Sequence, residues 1–287
     1  MTYDEFSQIL NKHIFENEKT ALLKNIANRP ERFIGLFRPT KLKTKILQFL
    51  LQSHEIRMGD AIEELIELIL SELNFLLLPK NIKTNSNETL KLDQYFTDGA
   101  KYYFIEQKIR DDHDSTKKKG QIENFKQKVN ALFSLHGSKL CAIMYFIDPT
   151  LKKNKNFYAN ELKIIENYLR ISTYLFYGNE LFDFINHPEI WDDLLNKFNR
   201  WKENLPDLPN INFDSSPKKS FEELKNLEPS VWKKILTNQL LWSEGVIKVI
   251  FKDGSTFKLL KSYFETFQSK TYKQLFNILS EKLNEYY

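Results

Sequence analysis

The chain has 287 residues, of which 41% are hydrophobic and 28% are charged, and its formal net charge is +4 at pH 7. These values predict a globular protein with a sizeable core and exclude a disordered chain. They also exclude a strongly basic protein that coats nucleic acid, although lysines gathered on one face would still allow DNA binding. The single cysteine, Cys141, lies in an apolar run, which excludes a disulfide framework and fits a reducing compartment.

Membrane and export signals are not expected in this sequence. The most apolar stretch, between Leu65 and Leu78, is interrupted by Glu67, Glu72 and Asn74 and is too polar to span a bilayer. The chain begins with the acidic and polar run MTYDE, which does not resemble a signal peptide. We therefore expect a cytoplasmic protein that does not contact a membrane.

The N-terminal region reads as helical. Apolar residues recur at helical spacing through residues 1–55, with a break between Pro30 and Pro39 and a further helix over residues 41–51. We interpret this region as a helical cap on a catalytic core, and its lysines could alternatively clamp DNA.

A second helical pattern covers residues 58–74, where one apolar stripe recurs at intervals of three and four residues. Glu63 flanks this stripe, whereas Glu64 and Glu67 face further away, since a helix turns about 100° per residue. Glu63 is either part of a functional site next to this helix or a member of a solvated acidic face.

The most informative stretch is a predicted β-hairpin. Residues 90–96 read as a strand, residues 97–100 with their Asp-Gly pair as a tight turn, and residues 101–109 as a second, antiparallel strand. Glu106 and Lys108 share one face of the second strand, and Asp93 on the neighbouring strand can point to the same place. Both faces of this strand begin apolar, which predicts a central, buried strand.

Charges at a buried position are costly unless they are paired or bind a metal. Two carboxylates and a lysine that converge near a strand end are the parts of a Mg²⁺ site for phosphodiester hydrolysis, because Mg²⁺ prefers hard oxygen ligands. The lysine can orient or deprotonate water, or stabilise charge on phosphorus. The alternative is a surface hairpin that carries a Glu–Lys pair.

A charged loop from Arg110 to Lys119 follows the second strand. The next helix has an apolar face formed by Ile122, Phe125, Val129 and Leu132. Lys117–Lys119 just before that helix would bind phosphates or form a solvated charge run, and Gln121 would lie in its first turn. Asp111, Asp112 and His113 would either cap the helix and bond one another or form a second metal site or general base.

The rest of the chain continues the alternation of strands and helices. An uninterrupted apolar run over residues 139–147 predicts a strand covered on both faces, followed by a helix over 161–170 and a buried strand over 171–177. From residue 58 the order is helix, strand, strand, helix, strand, helix, strand. Two further helices are predicted over 178–187 and 191–201.

The C-terminal region is set off by a predicted linker over residues 206–217. A helix over 232–241, a second hairpin over 246–260 around its Asp-Gly pair, and a helix over 263–287 are predicted to follow.

A family resemblance rests on Asp93, on the Glu-x-Lys pair of Glu106 and Lys108, and on the run IEQKIRDDHDSTKKKGQ from Ile105 to Gln121. They resemble the PD-(D/E)xK nuclease superfamily, in particular its type II restriction endonucleases, and the run is similar to the block of TdeIII-type enzymes. The sequence departs from the superfamily pattern at Leu92, where a proline is usual. The resemblance covers residues 57–180.

The resemblance implies an α/β (α+β) fold with a restriction-endonuclease-like core, in which a central mixed sheet is flanked by helices. It would carry a mostly helical N-terminal cap and an α+β C-terminal region. We expect a nuclease catalytic domain over residues 1–205 and an accessory region over 206–287 for DNA recognition, dimerisation or buttressing of the core.

The resemblance also assigns roles to single residues. Asp93, Glu106 and the backbone carbonyl of Gln107 would hold Mg²⁺, with Glu63 as an extra acid, and Lys108 would position or activate water. The expected DNA contacts are Arg110, Ser115, Lys117, Lys118, Lys119 and Gln121.

The implied activity is that of a type II site-specific deoxyribonuclease, which uses Mg²⁺ to hydrolyse double-stranded DNA and leaves 5′-phosphates. GGNCC is the implied target, and a homodimer and a cognate DNA methyltransferase are the implied partners. The alternatives are a repair or junction nuclease of the same superfamily and a non-catalytic DNA-binding protein. The sequence does not choose between one and two metal ions.

Overall fold

The computed structural model describes residues 1–35, 37, 39–83 and 88–287. These residues form two compact units, one from residues 1–13 and 58–205 and the other from residues 14–57 and 206–287. Residues 1–205 were expected to form one domain, but residues 14–57 group with the C-terminal region. The predicted break at residue 206 coincides with a boundary between the units.

Helices and strands alternate in the first unit, whereas the second unit is built from helices. The α-helices are α1 Tyr3–Phe15, α2 Glu18–Asn28, α3 Leu42–Glu72, α4 Ser115–His136, α5 Lys155–Leu169, α6 Glu180–Phe184, α7 Glu189–Glu203, α8 Pro217–Leu224, α9 Pro229–Thr237, α10 Gln239–Ser243, α11 Val246–Ile250, α12 Ser255–Glu265 and α13 Lys270–Tyr286. The strands are β1 Leu76–Leu77, β2 Asn81–Lys83, β3 Thr89–Lys91, β4 Gln94–Thr97, β5 Tyr102–Lys108, β6 Leu140–Phe146 and β7 Ser172–Tyr177. Within the described part of the chain, no helix is both long enough and apolar enough to cross a bilayer.

The first unit is organised around a five-stranded mixed sheet in the order β1-β4-β5-β6-β7. β4 pairs antiparallel with both β1 and β5, and β5, β6 and β7 run parallel. The predicted hairpin and the central place of its second strand are confirmed. The order of elements from α3 to β7 follows the prediction except before β5, where four short strands, β1 to β4, replace the single predicted strand. β6 is buried throughout, as predicted, but β7 is only half-buried along most of its length because it is an edge strand.

The two faces of this sheet are covered by different helices. Phe104 of β5 stacks on Phe125 of α4, and the apolar core on that face also includes Tyr158 and Leu162 of α5. Ile105 and its register partner Gln94 point to the other face, where the Gln94 side chain donates to the backbone carbonyl of Glu63 in α3 at 2.7 Å. Glu106 therefore faces α4, whereas α3 lies on the opposite side of the sheet.

The helices predicted over residues 41–51 and 58–74 are one continuous helix, α3, which runs from Leu42 to Glu72. The segment between the two predictions, QSHEIR, contains neither proline nor glycine and so offers no reason for the helix to stop. Gly59 is accommodated within the helix.

The second predicted hairpin is wrong, because residues 246–260 form α11 and the first half of α12. Gly254 has a φ of 75° and lies directly before α12, so the Asp-Gly pair starts a helix instead of turning a hairpin. The Asp214 carboxylate accepts from the amides of Gly254 and Thr256, both at 2.8 Å, and so caps that helix. The C-terminal region is helical and not α+β, and the predicted linker contributes the buried Asp214 to it.

Cys141 is expected to be unreactive in the folded protein. It is 1% exposed on β6, and burial raises the pKa of its thiol to about 12, so the reactive thiolate is scarce at pH 8. A disulfide-exchange reagent such as DTNB should titrate the thiol in denaturant but not under native conditions. Rapid native labelling would show that β6 opens, which this fully covered strand should not do.

Candidate active site

Asp93 is placed by an interruption in the strand that the sequence predicted over residues 90–96. The chain leaves β3 after Lys91 and enters β4 at Gln94, so Asp93 lies between two strands. Its carboxylate Oδ2 accepts from the backbone amide of Gln107 in β5 at 2.8 Å. The backbone of the central strand thus fixes the Asp93 carboxylate beside Glu106 and Lys108.

The Lys108 ammonium is the centre of the site. Its Nζ donates to Glu106 Oε1 at 2.7 Å, to the carbonyl of Gln107 at 2.8 Å and to Asp93 Oδ2 at 3.2 Å. The structure therefore brings three expected metal-binding oxygens onto one positive charge. Burial alone would lower the pKa of Lys108, but Glu106 and Asp93 outweigh that effect and raise the pKa above its ordinary value. Lys108 is consequently cationic at neutral pH in this arrangement.

A second lysine, Lys128 of α4, completes the cluster and was not anticipated from the sequence. Its Nζ donates to Glu106 Oε2 at 2.6 Å and lies 3.8 Å from Asp93 Oδ1. The sequence did contain a signal for this lysine, because Lys128 lies three residues after Phe125 and four residues before Leu132. That spacing places a lysine on the apolar face of the helix, where a charge needs a partner.

The site is closed to water on the side of Glu106 and Lys128. Glu106 is 2% exposed and Lys128 is 5% exposed, and these buried charges pair with each other. Such a pair is tolerated because each charge has a hydrogen-bonded counter-charge, whereas loss of one partner would leave the other uncompensated. The two carboxylates and two ammonium groups balance in formal charge.

The donor set fits a hard divalent cation. Two carboxylates and a backbone carbonyl are ligands that suit Mg²⁺. The oxygens of these three groups converge on the Lys108 ammonium, which occupies the position that a metal cation would take. Magnesium binds oxygen at about 2.0–2.1 Å, so the three ligands would draw closer together than they do around the amine. Within the described residues no group of three or more His, Cys, Asp or Glu side chains could hold a metal.

Glu63 was expected to join this cluster, but the structure places its side chain elsewhere. Its carboxylate pairs with Lys80 at 2.8 Å and lies 3.9 Å from Lys91. The side of the sheet explains the difference, because α3 packs on the side opposite to Glu106. Burial alone would lower the pKa of Lys80, but its hydrogen bonds to Glu63 and Glu67 outweigh that effect and raise the pKa.

Glu63→Gln and Glu64→Gln are expected to leave the Mg²⁺ requirement of cleavage equal to that of the unaltered protein. Glu63 pairs with Lys80 on the side of the sheet opposite to Glu106, and Glu64 pairs with His13 at 2.5 Å, so neither carboxylate lies with Asp93 and Glu106. The measurement is a Mg²⁺ titration of DNA cleavage by both purified variants. If Glu63→Gln alone needed more Mg²⁺ for cleavage, Glu63 would be a metal ligand after all. Its carboxylate would then have to leave its lysine partners to bind the metal.

The expected DNA-contact residues lie on and before α4. Lys117, Lys118 and Lys119 were predicted to precede the helix, but α4 begins at Ser115 and includes them in its first turns. The Asp114 side chain caps the helix and accepts from the amides of Thr116 and Lys117, so these two amides are already bonded. Anion binding at this position would therefore depend on the lysine side chains.

Two of these contact residues already have partners within the protein. Lys118 lies over the ring of Phe157, with its Nζ 4.7 Å from the ring centroid. Gln121 was expected in the first turn but lies in the second, where its side-chain oxygen accepts from the Tyr158 hydroxyl at 2.5 Å. Ser115, Lys117 and Lys119 are exposed, as is Arg110 in the segment after β5.

Asp111 is a structural residue. It is fully buried, and its carboxylate accepts from the Asn154 side chain at 2.9 Å and from the Tyr177 hydroxyl at 2.9 Å. The alternative of a second metal site or general base at Asp111, Asp112 and His113 is thus wrong for Asp111. His113 Nδ1 lies 3.8 Å from Asp112 Oδ1.

A five-stranded mixed sheet flanked by helices, with acidic residues at the end of its central strand, is consistent with a restriction-endonuclease-like fold. The model of the HinfI family of type II restriction endonucleases matches residues 2–87 and 74–202. The chain belongs to this family, which confirms the resemblance to type II restriction endonucleases.

The resemblance to the TdeIII type stays a prediction. Among solved structures the chain is similar to Can2 from Sulfobacillus thermosulfidooxidans, in complex with cyclic tetra-adenylate, at a TM-score of 0.33 and 18% identity. That match covers 69% of this chain and 54% of the Can2 chain, so this chain spans about half the length of that protein. No curated protein matches the sequence.

Proposed function

We propose that the protein is a Mg²⁺-dependent type II site-specific deoxyribonuclease with its active site at the carboxyl end of β5. One observation carries the proposal: Asp93, Glu106 and the Gln107 carbonyl converge within 3.2 Å of a single cation, the Lys108 ammonium. Membership of the HinfI family supports a nuclease that acts on DNA.

In this proposal Asp93, Glu106 and the carbonyl of Gln107 hold the metal. Bound Mg²⁺ would supply Lewis acidity to the scissile phosphate and lower the pKa of water. Lys108 would give up its place between the carboxylates and donate from Nζ to the attacking water or to a phosphate oxygen. Its side chain is 28% exposed, so it can move toward a substrate in the solvent-facing part of the site.

The bond changes follow from hydrolysis of a phosphodiester. The water oxygen forms a bond to phosphorus, and the bond from phosphorus to the 3′-oxygen breaks. The leaving 3′-oxygen gains a proton and becomes a hydroxyl, while the phosphate stays on the 5′ end. Stabilising the added negative charge on phosphorus is the role that a cationic Lys108 can fill.

DNA contacts are proposed for Arg110, Ser115, Lys117, Lys118, Lys119 and Gln121. The internal contacts of Lys118 and Gln121 favour roles in positioning α4 beside the DNA. The exposed side chains of Lys117 and Lys119 are the better candidates for direct phosphate contacts.

Replacing Lys117 or Lys119 with Ala should weaken binding to all DNA sequences to a similar degree. Removing one lysine that binds a phosphate should reduce the slope of log K against log[salt] by about 1, because fewer counterions are released. Lys118→Ala should have a smaller effect on the slope, since its amine lies over Phe157. Binding is measured by fluorescence anisotropy at several salt concentrations, with Lys163→Ala on α5 as the matched control. An unchanged salt slope in the Lys117 and Lys119 variants would show that these lysines form a solvated charge run and do not bind phosphates.

The proposed activity is tested by incubating supercoiled plasmid with the protein, with and without Mg²⁺. Discrete bands that require Mg²⁺ support a restriction enzyme. A smear would instead identify a nonspecific, repair or junction nuclease, and binding without cleavage would identify a DNA-binding protein. The Asp93→Asn variant, run in parallel, excludes a contaminating nuclease.

The remaining assignments depend on the family and on the sequence. GGNCC is the first target to try, although its support is the block from Ile105 to Gln121 and not the matched family. End sequencing of a digest would identify the target directly. A homodimer suits a two-fold DNA site, with residues 206–287 available for base reading, dimerisation or buttressing. A cognate methyltransferase and a cytoplasmic location complete the proposed restriction-modification system.

A further inference from the structure

Lys128 is buried beside the proposed metal ligands and has no part in the activity described above. It projects from the apolar face of α4, and its Nζ lies 2.6 Å from Glu106 Oε2 and 3.8 Å from Asp93 Oδ1. Its amine also lies 6.0 Å from the centroid of the Phe104 ring. A lysine at such a position either neutralises the buried carboxylates or contributes to the function of the site.

The two lysines divide the four carboxylate oxygens between them. Lys108 contacts Asp93 Oδ2 and Glu106 Oε1, and Lys128 lies beside the other oxygen of each acid. The cluster therefore contains two cation positions that share the same two carboxylates. The Lys108 position differs in that it also includes a backbone carbonyl, that of Gln107.

The two positions differ in how easily their lysine can leave. Lys108 is 28% exposed at a strand end, whereas the Lys128 side chain is 7% exposed and lies among apolar residues of α4. A charged amine cannot leave its counter-charge for an apolar core without a large desolvation cost. Lys108 can thus yield to a metal ion, and Lys128 stays with Glu106.

We propose that Lys128 is a positioning residue that fills the second cation position and restricts the site to one divalent metal ion. By holding Glu106 through Oε2, it leaves Oε1 directed toward the Lys108 position. Its fixed charge also repels a second divalent ion that would need Oε2 of Glu106 and Oδ1 of Asp93. This inference rests on the proposed metal-dependent nuclease function.

The test counts bound metal without relying on cleavage. Free Mn²⁺ is measured by electron paramagnetic resonance while the full-length protein, without DNA, is titrated with Mn²⁺. We expect one bound ion per chain in the unaltered protein and two in Lys128→Ala, because the variant frees two carboxylate oxygens and the space of the lysine. The matched control is Lys126→Ala on the same helix, whose amine pairs with Glu123 and Glu161, and it should bind one ion.

Each outcome has a defined meaning. Two ions in the unaltered protein, or one ion in a folded Lys128→Ala variant, would overturn the role of Lys128 and leave the nuclease proposal standing. No bound ion in the unaltered protein would instead overturn the metal site itself. If Lys128→Ala does not fold, Lys128→Gln removes the charge while retaining a hydrogen-bond donor, and the same count of two is expected of it.

Discussion

Replacing Glu106 with Gln is expected to reduce DNA cleavage by about a thousandfold or more, which corresponds to a loss of about 4 kcal/mol of transition-state stabilisation. Gln has nearly the shape of Glu but lacks the negative charge that Mg²⁺ requires. DNA binding should persist, because the residues proposed to contact phosphates lie on and before α4. Asp93→Asn should behave in the same way, since Asp93 and Glu106 contact the same ammonium group.

The measurement combines single-turnover cleavage with DNA binding in the absence of metal. Glu166→Gln on α5 is a matched control, because it makes the same chemical change at an exposed carboxylate paired with Lys163. The thermal stability of each variant must also be compared, since Glu106→Gln leaves Lys108 and Lys128 with fewer negative partners. Near-normal turnover in either Glu106→Gln or Asp93→Asn would refute the placement of the active site.

Lys108→Met is expected to have two opposite effects, a loss of cleavage of about a hundredfold to ten-thousandfold and tighter binding of divalent metal. Cleavage falls because no ammonium remains to act on water or phosphate. Metal binding strengthens because the Lys108 amine no longer competes for oxygens of Asp93, Glu106 and Gln107. A variant that merely disturbed the fold would lose both properties together.

Calorimetric titration with Ca²⁺ measures the affinity separately from the cleavage rate. Lys101→Met, at the opposite end of β5, removes a lysine from the same hairpin and should change neither quantity. Weaker metal binding by Lys108→Met would show that the lysine organises the metal ligands instead of competing with metal.

The sequence by itself was sufficient to predict the hairpin of β4 and β5 and the next buried strand, β6. The Asp-Gly turn before Lys101 and the apolar run of β6 are local signals, and the structure confirms both elements. Local patterns succeed here because strand alternation and turn chemistry depend on neighbouring residues. The same type of signal failed at Gly254, where an Asp-Gly pair starts a helix because a distant carboxylate, that of Asp214, caps it.

The composition of the charged cluster was decided by the tertiary structure. The sequence indicated that Glu106 and Lys108 share a face, but it could not pair Glu106 with Lys128, since that pair joins a strand to a helix 22 residues away. Nor could helix phase alone place Glu63, because the side of the sheet on which α3 packs determines which groups its side chains meet. Glu63 consequently contacts Lys80, while α4 supplies the buried Lys128 to the site because its apolar face is the one packed against Phe104.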